Sequence, residues 1–554
     1  MMDTIPRPNG GKVLIVGAGP VGLTAAALLT HYGVGCRVVD RSPHPTETSK
    51  ALVLWQRTQE LLDDLGIVDN FINAGMFVNA ARLHGEGDVL ALMPLIQTDT
   101  HFTRPLMLAQ SETERLLIEH LGRVGVSIER SVELTGFVDQ GDRVTASLRH
   151  GDHHVEEYTC DWLIGCDGAH SAVRKGLSLE FTGNAEPNDW VLADCRIDGP
   201  IALDEISLFW HSEGVLAVFP LAADRYRVIA DMGFAKSAGH PDDPTLEQMQ
   251  AIVDRRGPGG LLLSQPRWLS GFRIHERKVS DYHRGRVLLA GDSAHIHSPA
   301  GGQGMNTGMQ DAYNLAWKLA LVQSGRGLAK PLLDSYSIER GAVGEMVLRN
   351  ATRLTTIATL RNPVGKFFRN RLVKLLGRLP AFRREFARNL SELGIHYPTS
   401  PLNGARGGTG IQPGDRLPDA PLKDAGNLTE RRLLAVTHGP EHHLLLLSTG
   451  EASIANDDFM SLAMNTRSLY QGLIQVHLIV RGDTPPSNTE GIDHVWLDPA
   501  GATAAALGVN EAIAVLVRPD GYVGYRSANA SCEALRNHLD GYLRPLPIGA
   551  PETV

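Results

Sequence analysis

The sequence predicts an α/β protein of more than one domain, opening on a Rossmann-like βαβ unit. Three observations predict it: the glycine turn GAGPVG at Gly17 to Gly22, and two later apolar strands that close on Asp167 and Asp292. Each turn follows a short, largely β-branched or leucine-rich run, the kind that fills the middle of a parallel sheet.

The first element is Lys12 to Val16 (KVLIV), which ends directly in the glycines. Thr24 to Leu29 continues as a good helix former, and Cys36 to Val39 reads as a second buried strand. In such a unit Gly17 permits the tight turn, Gly19 lets the backbone approach a pyrophosphate, and Gly22 allows close helix–strand packing. Ala18 and Pro20 complete the turn. The helix beyond offers free N–H groups and a positive dipole end to phosphates. Asp40, with Arg41 after it, ends the second strand about 20 residues on, where an acid binds ribose hydroxyls. These elements point to dinucleotide binding, with FAD and NAD equally open.

At 554 residues the chain is too long for one core, so two or three domains are expected. With 43% hydrophobic and 21% charged residues it has an ordinary globular composition. A net charge of −9 gives no reason to expect a nucleic-acid partner. The start MMDTIPRPNGG lacks a basic region followed by an apolar one, so no signal peptide is expected. No apolar run reaches the length of about 18 residues that a membrane span needs. Cys36, Cys160, Cys166, Cys195 and Cys532 form no CxxC pair and no metal spacing, which fits a reduced, cytoplasmic setting.

Trp162 to Gly165 (WLIG) is the second motif strand and closes on Asp167-Gly168; Val287 to Ala290 (VLLA) is the third and closes on Gly291-Asp292. Ligands of doubly wound sheets sit beyond the carboxyl ends of strands, so both acids are candidates for one cleft. After Asp292 comes the glycine-dense loop Pro299 to Gly308 (PAGGQGMNTG), and a helix is expected from about Met309 to Val322. Its N-terminus would aim a positive dipole end at whatever occupies the loop.

The three segments resemble the GxGxxG, DG and GD motifs of the single-component (class A) FAD-dependent aromatic hydroxylases. That family includes para-hydroxybenzoate hydroxylase, phenol 2-monooxygenase and aromatic polyketide hydroxylases. The likeness continues through QDAYNLAWKLA (Gln310 to Ala320), LLDSYSIER (Leu332 to Arg340) and PGDRLPDAPL (Pro413 to Leu422). It implies an α/β fold with a Rossmann-like FAD-binding domain, an inserted β-sheet substrate domain and a thioredoxin-like C-terminal domain.

The resemblance assigns roles residue by residue. Asp40 would bind the adenosine ribose, Gln110 would lie near the FAD ribose and ribityl chain, and Asp292 would serve the ribityl or pyrophosphate side. Gly302, Gly304, Met305 and Asn306 would present backbone to the flavin edge. Asp167, with His170 and Arg174, resembles the motif that serves both FAD and NAD(P)H. Pro299 matches a proline whose carbonyl lies beside the substrate hydroxyl and the flavin. Where many relatives carry arginine near the pyrophosphate, this chain has Lys50, which keeps the charge but loses the bidentate fork.

The FAD-binding domain is expected at 10–85, 105–185 and 280–345, with the substrate sheet at 86–104 and 186–279. Roof strands are expected at Ile206 to Trp210, Gly214 to Pro220 and Tyr226 to Asp231. A helical connector is expected at 346–400, a Pro-rich linker at 401–424, and the thioredoxin-like domain at 425–554 in a structural or homodimerising role. Within the connector, Leu360 to Leu390 is basic and carries an apolar stripe, which is expected to pack on the protein itself rather than on a membrane. No stable membrane insertion follows.

The HxH pair His295 and His297 lies in the flavin loop with no carboxylate or Cys at ligand spacing, so no metal is expected. His150, His153 and His154 fall in a polar turn and are expected to be solvated. Ser293, between Asp292 and His295, lacks the glycine pattern of a hydrolase nucleophile. The function implied is hydroxylation of a small phenolic or polycyclic aromatic substrate. NADPH or NADH reduces FAD, dioxygen adds at the flavin C4a position, and the hydroperoxide delivers oxygen to the ring. Baeyer–Villiger insertion, oxidative decarboxylation and, from another class, a non-catalytic dinucleotide-binding scaffold are the alternatives. His211 and Tyr226 are the expected proton-relay groups, and Trp210 and Phe219 the expected apolar walls.

Overall fold

The computed structural model describes residues 12–545 except 48–50, 86, 223, 236–238, 361, 449–456 and 487. At its centre is a sheet in the order 283–284, 287–289, 162–165, 13–16, 36–40 and 128–130, parallel but for the edge hairpin. Val13 pairs with both Trp162 and Cys36, and Leu163 with Val287, so all three motif turns leave the same edge. The ladder runs on into those turns. Gly17 N–H donates to Val39 (2.8 Å), Cys166 N–H to Val16 (2.8 Å) and Ala290 N–H to Gly165 (3.1 Å). Val13, Leu14 and Ile15 are wholly buried, as continuous apolar runs covered by helices on both faces must be.

Helix α1 (Pro20–His31) leaves the first turn. A second, eight-stranded sheet runs from His295–Ile296 through 262–278, 182–198, 225–234, 214–222 and 205–211 to Ala80–Gly85 and Asp88–Pro94. One face of it is sealed by α2 (Leu246–Arg256), whose Met249, Ile252 and Val253 join Val191, Leu216 and Val228 in one core. The strand Ala80–Gly85 belongs to this sheet, which therefore begins before residue 86. Helices α3 (Gly304–Gln323) and α4 (Ala329–Ala358) follow, then α5 (Pro363–Leu376) and α6 (Pro380–Leu390).

The last sheet has parallel strands 442–448, 474–481 and 494–498, with 513–517 and 523–527 antiparallel at one side. That is the thioredoxin-like arrangement. The stretch expected to be a free linker belongs to it: Ile411, Leu417 and Ala420 lie in its core, and Pro421–Asp424 is one of its strands. Proline turns set the path of 401–424, but buried apolar side chains hold it down.

A buried ion network joins this domain to the helices. Arg518 grips Glu339 of α4 through two bonds of 2.7 and 3.0 Å, and Lys318 of α3 donates to the same carboxylate at 2.7 Å. None of the three side chains is exposed. Burial works against the Glu339 charge, but Arg518 and Lys318 hold its carboxyl well below the usual range. Glu339→Gln would leave two buried cations short of a partner, at a cost of about 3–5 kcal/mol. Chemical denaturation should read that loss directly.

Histidines make the same domain acid-sensitive. Burial pushes His442 and His443 down to about 3 and His538 to about 4. The unfolded chain takes up these protons as pH falls through about 6.5, while the fold does not, so stability declines on acidification. The melting temperature should drop by several degrees between about pH 7 and about pH 5. A level midpoint across that window would contradict the neutral assignment.

Candidate active site

The three glycines of the first turn are required by different things. A Cβ on Gly17 (φ +104°) would lie 2.3 Å from the Cys166 carbonyl oxygen, and one on Gly22 would lie 1.9 Å from that of Gly17. A Cβ on Gly19 would meet no atom within 4 Å. The outer glycines are thus dictated by the chain's own packing, while the space before Gly19 is left for a ligand. Helix α1 begins there with Pro20 and no side-chain cap, so its first N–H groups face that space unspent. A dinucleotide pyrophosphate fits this cradle.

Asp40 stands over the turn. Its carboxylate accepts from Ala18 N–H at 2.6 Å and from Ser42 N–H at 2.7 Å. Arg41 is exposed beside it. Gln110 bridges the next segment, accepting from Ala51 N–H (3.2 Å) and donating to Glu114 (2.9 Å). Lys50 lies outside the described residues.

At the second turn, Asp167 accepts from Ala172 and Val173 N–H through one oxygen, while its other oxygen is buried with no protein partner. An orphaned buried carboxylate oxygen fits a ligand hydroxyl or a bound water. Arg174, expected at the cofactor, is engaged with the protein. Its guanidinium is buried, stacks over Phe181 at 3.9 Å and donates to the Ser293 (2.9 Å) and Ala169 (2.7 Å) carbonyls. It braces the second turn to the third. Ser293 helps, donating to Gly165 at 2.6 Å from a fully buried position, which rules it out as a nucleophile. Asp292, next to it, is exposed at the same sheet edge.

The helix expected from Met309 starts at Gly304, so Gly304, Met305 and Asn306 form its first turn rather than a loop. Poor local propensity is overridden by tertiary contacts. Asn306 is wholly buried, accepting from Trp55 N–H and donating to the Val53 and Gly302 carbonyls, each at 2.9 Å. Gly308 lies so close to Val21 that a Cβ would approach it to 2.6 Å. With this early start, the N–H groups of the first turn, which lack helical partners, are those of Gly304 to Asn306. Gly302 fits against Val53 at φ +64°, and its N–H donates to the Pro299 carbonyl at 2.9 Å.

The strands opposite separate the expected substrate residues by parity. Trp210 packs with Val53 and Trp55, with Phe219 partly buried against the same cluster, so both stand on the side that touches the glycine loop. Tyr226 falls on the other face, in the core beneath α2, and His211 alternates to that face at the hairpin tip, accepting from Glu213 N–H. The proton-relay expectation for Tyr226 and His211 is corrected by this register.

Three residues that carry the site were not singled out for these roles. Asp311 accepts from Gly291 N–H (3.0 Å) and His295 (2.7 Å) through one oxygen and from Arg340 (2.6 Å) through the other. Arg340 also donates to the Thr307 carbonyl at 3.0 Å. The signal was present as charged residues inside the apolar spacing of α3 and α4. The third is His297. Its Nδ1 lies 2.8 Å from the Ser298 carbonyl and must be the donor there, which leaves Nε2 as an acceptor. That nitrogen is buried, without a protein partner, and faces Gly304. Burial pushes the ring down to about 4, so it is neutral in ordinary buffers.

Comparison with known proteins shows the family. Residues 11–351 match an FAD binding domain family, and residues 411–545 match the aromatic-ring hydroxylase C-terminal family. The chain is 36% identical to the 6-methylpretetramide 4-monooxygenase of Streptomyces rimosus, over 96% of this chain and 94% of that one. It is 32% identical to the pentachlorophenol 4-monooxygenase of Sphingobium chlorophenolicum, over 98% and 99% of the two chains. An anhydrotetracycline hydroxylase structure from Streptomyces rimosus superposes with a TM-score of 0.75 at 29% identity, covering 97% of this chain and 99% of that one.

Two substitutions separate packing from ligand contact. Asp311→Asn should cost about 3 kcal/mol by uncoupling Arg340 and should lower FAD content, read from absorbance of the purified protein. Asp292→Ala should release FAD with little change in the melting of the apoprotein. Full FAD occupancy in the Asp292 variant would refute its cofactor role.

Proposed function

The chain belongs to the FAD-dependent aromatic-ring hydroxylases, and we propose that it hydroxylates a phenolic, polycyclic aromatic substrate. It is a monooxygenase that uses FAD, with NAD(P)H as reductant and dioxygen as oxygen source. One observation carries the substrate reading: Trp55, Trp210 and Phe219 stand together on the side of the roof sheet that meets the glycine loop. An apolar aromatic wall beside a row of unpaired helix N–H groups suits a flat, electron-rich ring that carries a hydroxyl. The relatives named above act on a pretetramide and on pentachlorophenol, which supports the same class.

The residues divide the work. Gly17 to Gly22, the first turn of α1 and Asp40 would hold the adenine-side phosphates and ribose. Asp167 and Asp292 would hold hydroxyls along the middle of the cofactor, and the N–H groups of Gly304 to Asn306 the flavin edge. FAD, when bound, supplies electron acceptance and oxygen activation. The first turn of α3 would set a positive dipole end beside the negative charge of reduced flavin. His297 Nε2, neutral and unpaired, would accept a hydrogen bond from the substrate hydroxyl and raise electron density in the ring. Asp311 and Arg340 are positioning residues that keep the Gly291 turn and α3 in register. Five free thiols support the reducing cytoplasm as the place of action.

The purified protein should be yellow, and phenols or polycyclic aromatics should stimulate its NADPH or NADH oxidation. Mass analysis should find a product heavier by one oxygen. A colourless protein that ignores added FAD, or oxidation that yields only peroxide with every substrate, would sink the reading. His297→Phe removes the acceptor and should lower kcat about 10²-fold. His297→Asn should recover part of that loss, with flavin content unchanged in both.

A further inference from the structure

Helices α5 and α6 pack Val373, Phe386, Ala387 and Leu390 on the protein, yet leave a second apolar set outside. Arg369 turns inward, only 8% exposed, stacking over Trp210 at 4.3 Å and donating to the Ile357 and Ala358 carbonyls. Most of the stripe expected to pack on the protein, Val364, Phe367, Phe368, Leu372, Leu375 and Leu379, faces solvent instead. Val364, Phe368, Leu372 and Leu375 follow each other at steps of three and four along the outer face of α5, and Leu379 and Phe382 are exposed where α6 begins. Phe367 is 56% exposed, Phe368 65% and Leu375 60%. A soluble surface does not leave so continuous a stripe in water without a use for it.

The stripe is set among cations. Pro363–Leu390 contains eight lysines and arginines against one acid, Glu385, in a chain whose net charge is −9. Beside it, Lys374, Arg378 and Arg383 line a cavity of about 440 Å³ with the edge strand Val89 to Leu92. Asp88, 3.7 Å from Lys374, is the nearest counter-charge there.

We propose that this face docks on an anionic lipid surface, with the apolar stripe at the interface and the cations on lipid phosphates. A second copy using the same face would set cation against cation. A bilayer offers apolar depth and anionic charge in one surface. The contact is peripheral, since no helix among the described residues is long and apolar enough to cross a membrane. Helix α6 also abuts the glycine loop, where Gln303 donates to the Asn389 carbonyl at 2.9 Å. Docking therefore brings the active-site side of the molecule to the lipid.

Sedimentation of the FAD-loaded protein with extruded vesicles tests this. It should pellet with equimolar phosphatidylcholine and phosphatidylglycerol, and about tenfold less with phosphatidylcholine alone. The double variant Phe367→Asp, Phe368→Asp should lose vesicle binding by about the same factor, with unchanged melting and flavin content. Arg378→Gln with Arg383→Gln, which spares the stripe, should also weaken it. Parent protein that stays in solution with both vesicles, or pellets equally with both, overturns the proposal. So does a parent that scatters light as a dimer, is split by the double aspartate variant and ignores vesicles, because the stripe is then a contact between copies.

Discussion

The cofactor edge depends on one buried carboxylate. Asp311, on the second turn of α3, accepts the Gly291 N–H, His295 and Arg340 at once, from a position with no solvent exposure. The turn after the third motif strand is therefore tied to the helix whose N-terminus is proposed to meet the flavin. Two charges buried together are costly to desolvate, and only full hydrogen bonding compensates them. Asp311 achieves it, and its carboxyl is held below the ordinary range by Arg340 and His295 in spite of burial.

Helix α4 extends the same logic to the rest of the molecule. Its consecutive residues Glu339 and Arg340 point in different directions, as neighbours on a helix must. Glu339 takes Arg518 and Lys318 and so holds the thioredoxin-like domain, while Arg340 takes Asp311 and so holds the start of α3 beside the glycine loop. The C-terminal domain has no CxxC pair to supply thiol chemistry. Its visible contribution is mechanical: Arg518 and Asp520 close the charge network behind the helices that carry the site.

The aromatic wall and the outward stripe are linked through a single arginine. Arg369 covers Trp210 from outside, and in doing so turns the phenylalanines of α5 to solvent. The helix that seals the substrate side of the roof sheet is thus the helix that exposes an apolar face. Sealing a pocket and presenting a docking surface arise from one rotation of α5.

Much of the cofactor edge was legible in the chain before any folding was considered. Glycines 17, 19 and 22, the three apolar strands and Asp40, Asp167 and Asp292 are local signals, because a tight turn and a buried strand are set by neighbouring residues. The expected helix after the flavin loop and the roof strands were also legible, since periodicity is local. The start of α3 was not, because Asn306 and Gly308 become helical through Trp55, Val53 and Val21, far away in sequence. Nor were the faces. Tyr226 and Trp210 lie on strands equally visible in the sequence, yet pairing register sends one under α2 and the other to the glycine loop. The α5 stripe has helical spacing whether it packs inward or outward, and the inward contacts of Arg369 and Val373 decide which. Sequence alone determined the glycine and aspartate turns at the sheet edge, since those are short-range geometry. Tertiary structure decided which side chains meet it, since strand register, helix rotation and buried charge pairing depend on partners the local chain does not contain.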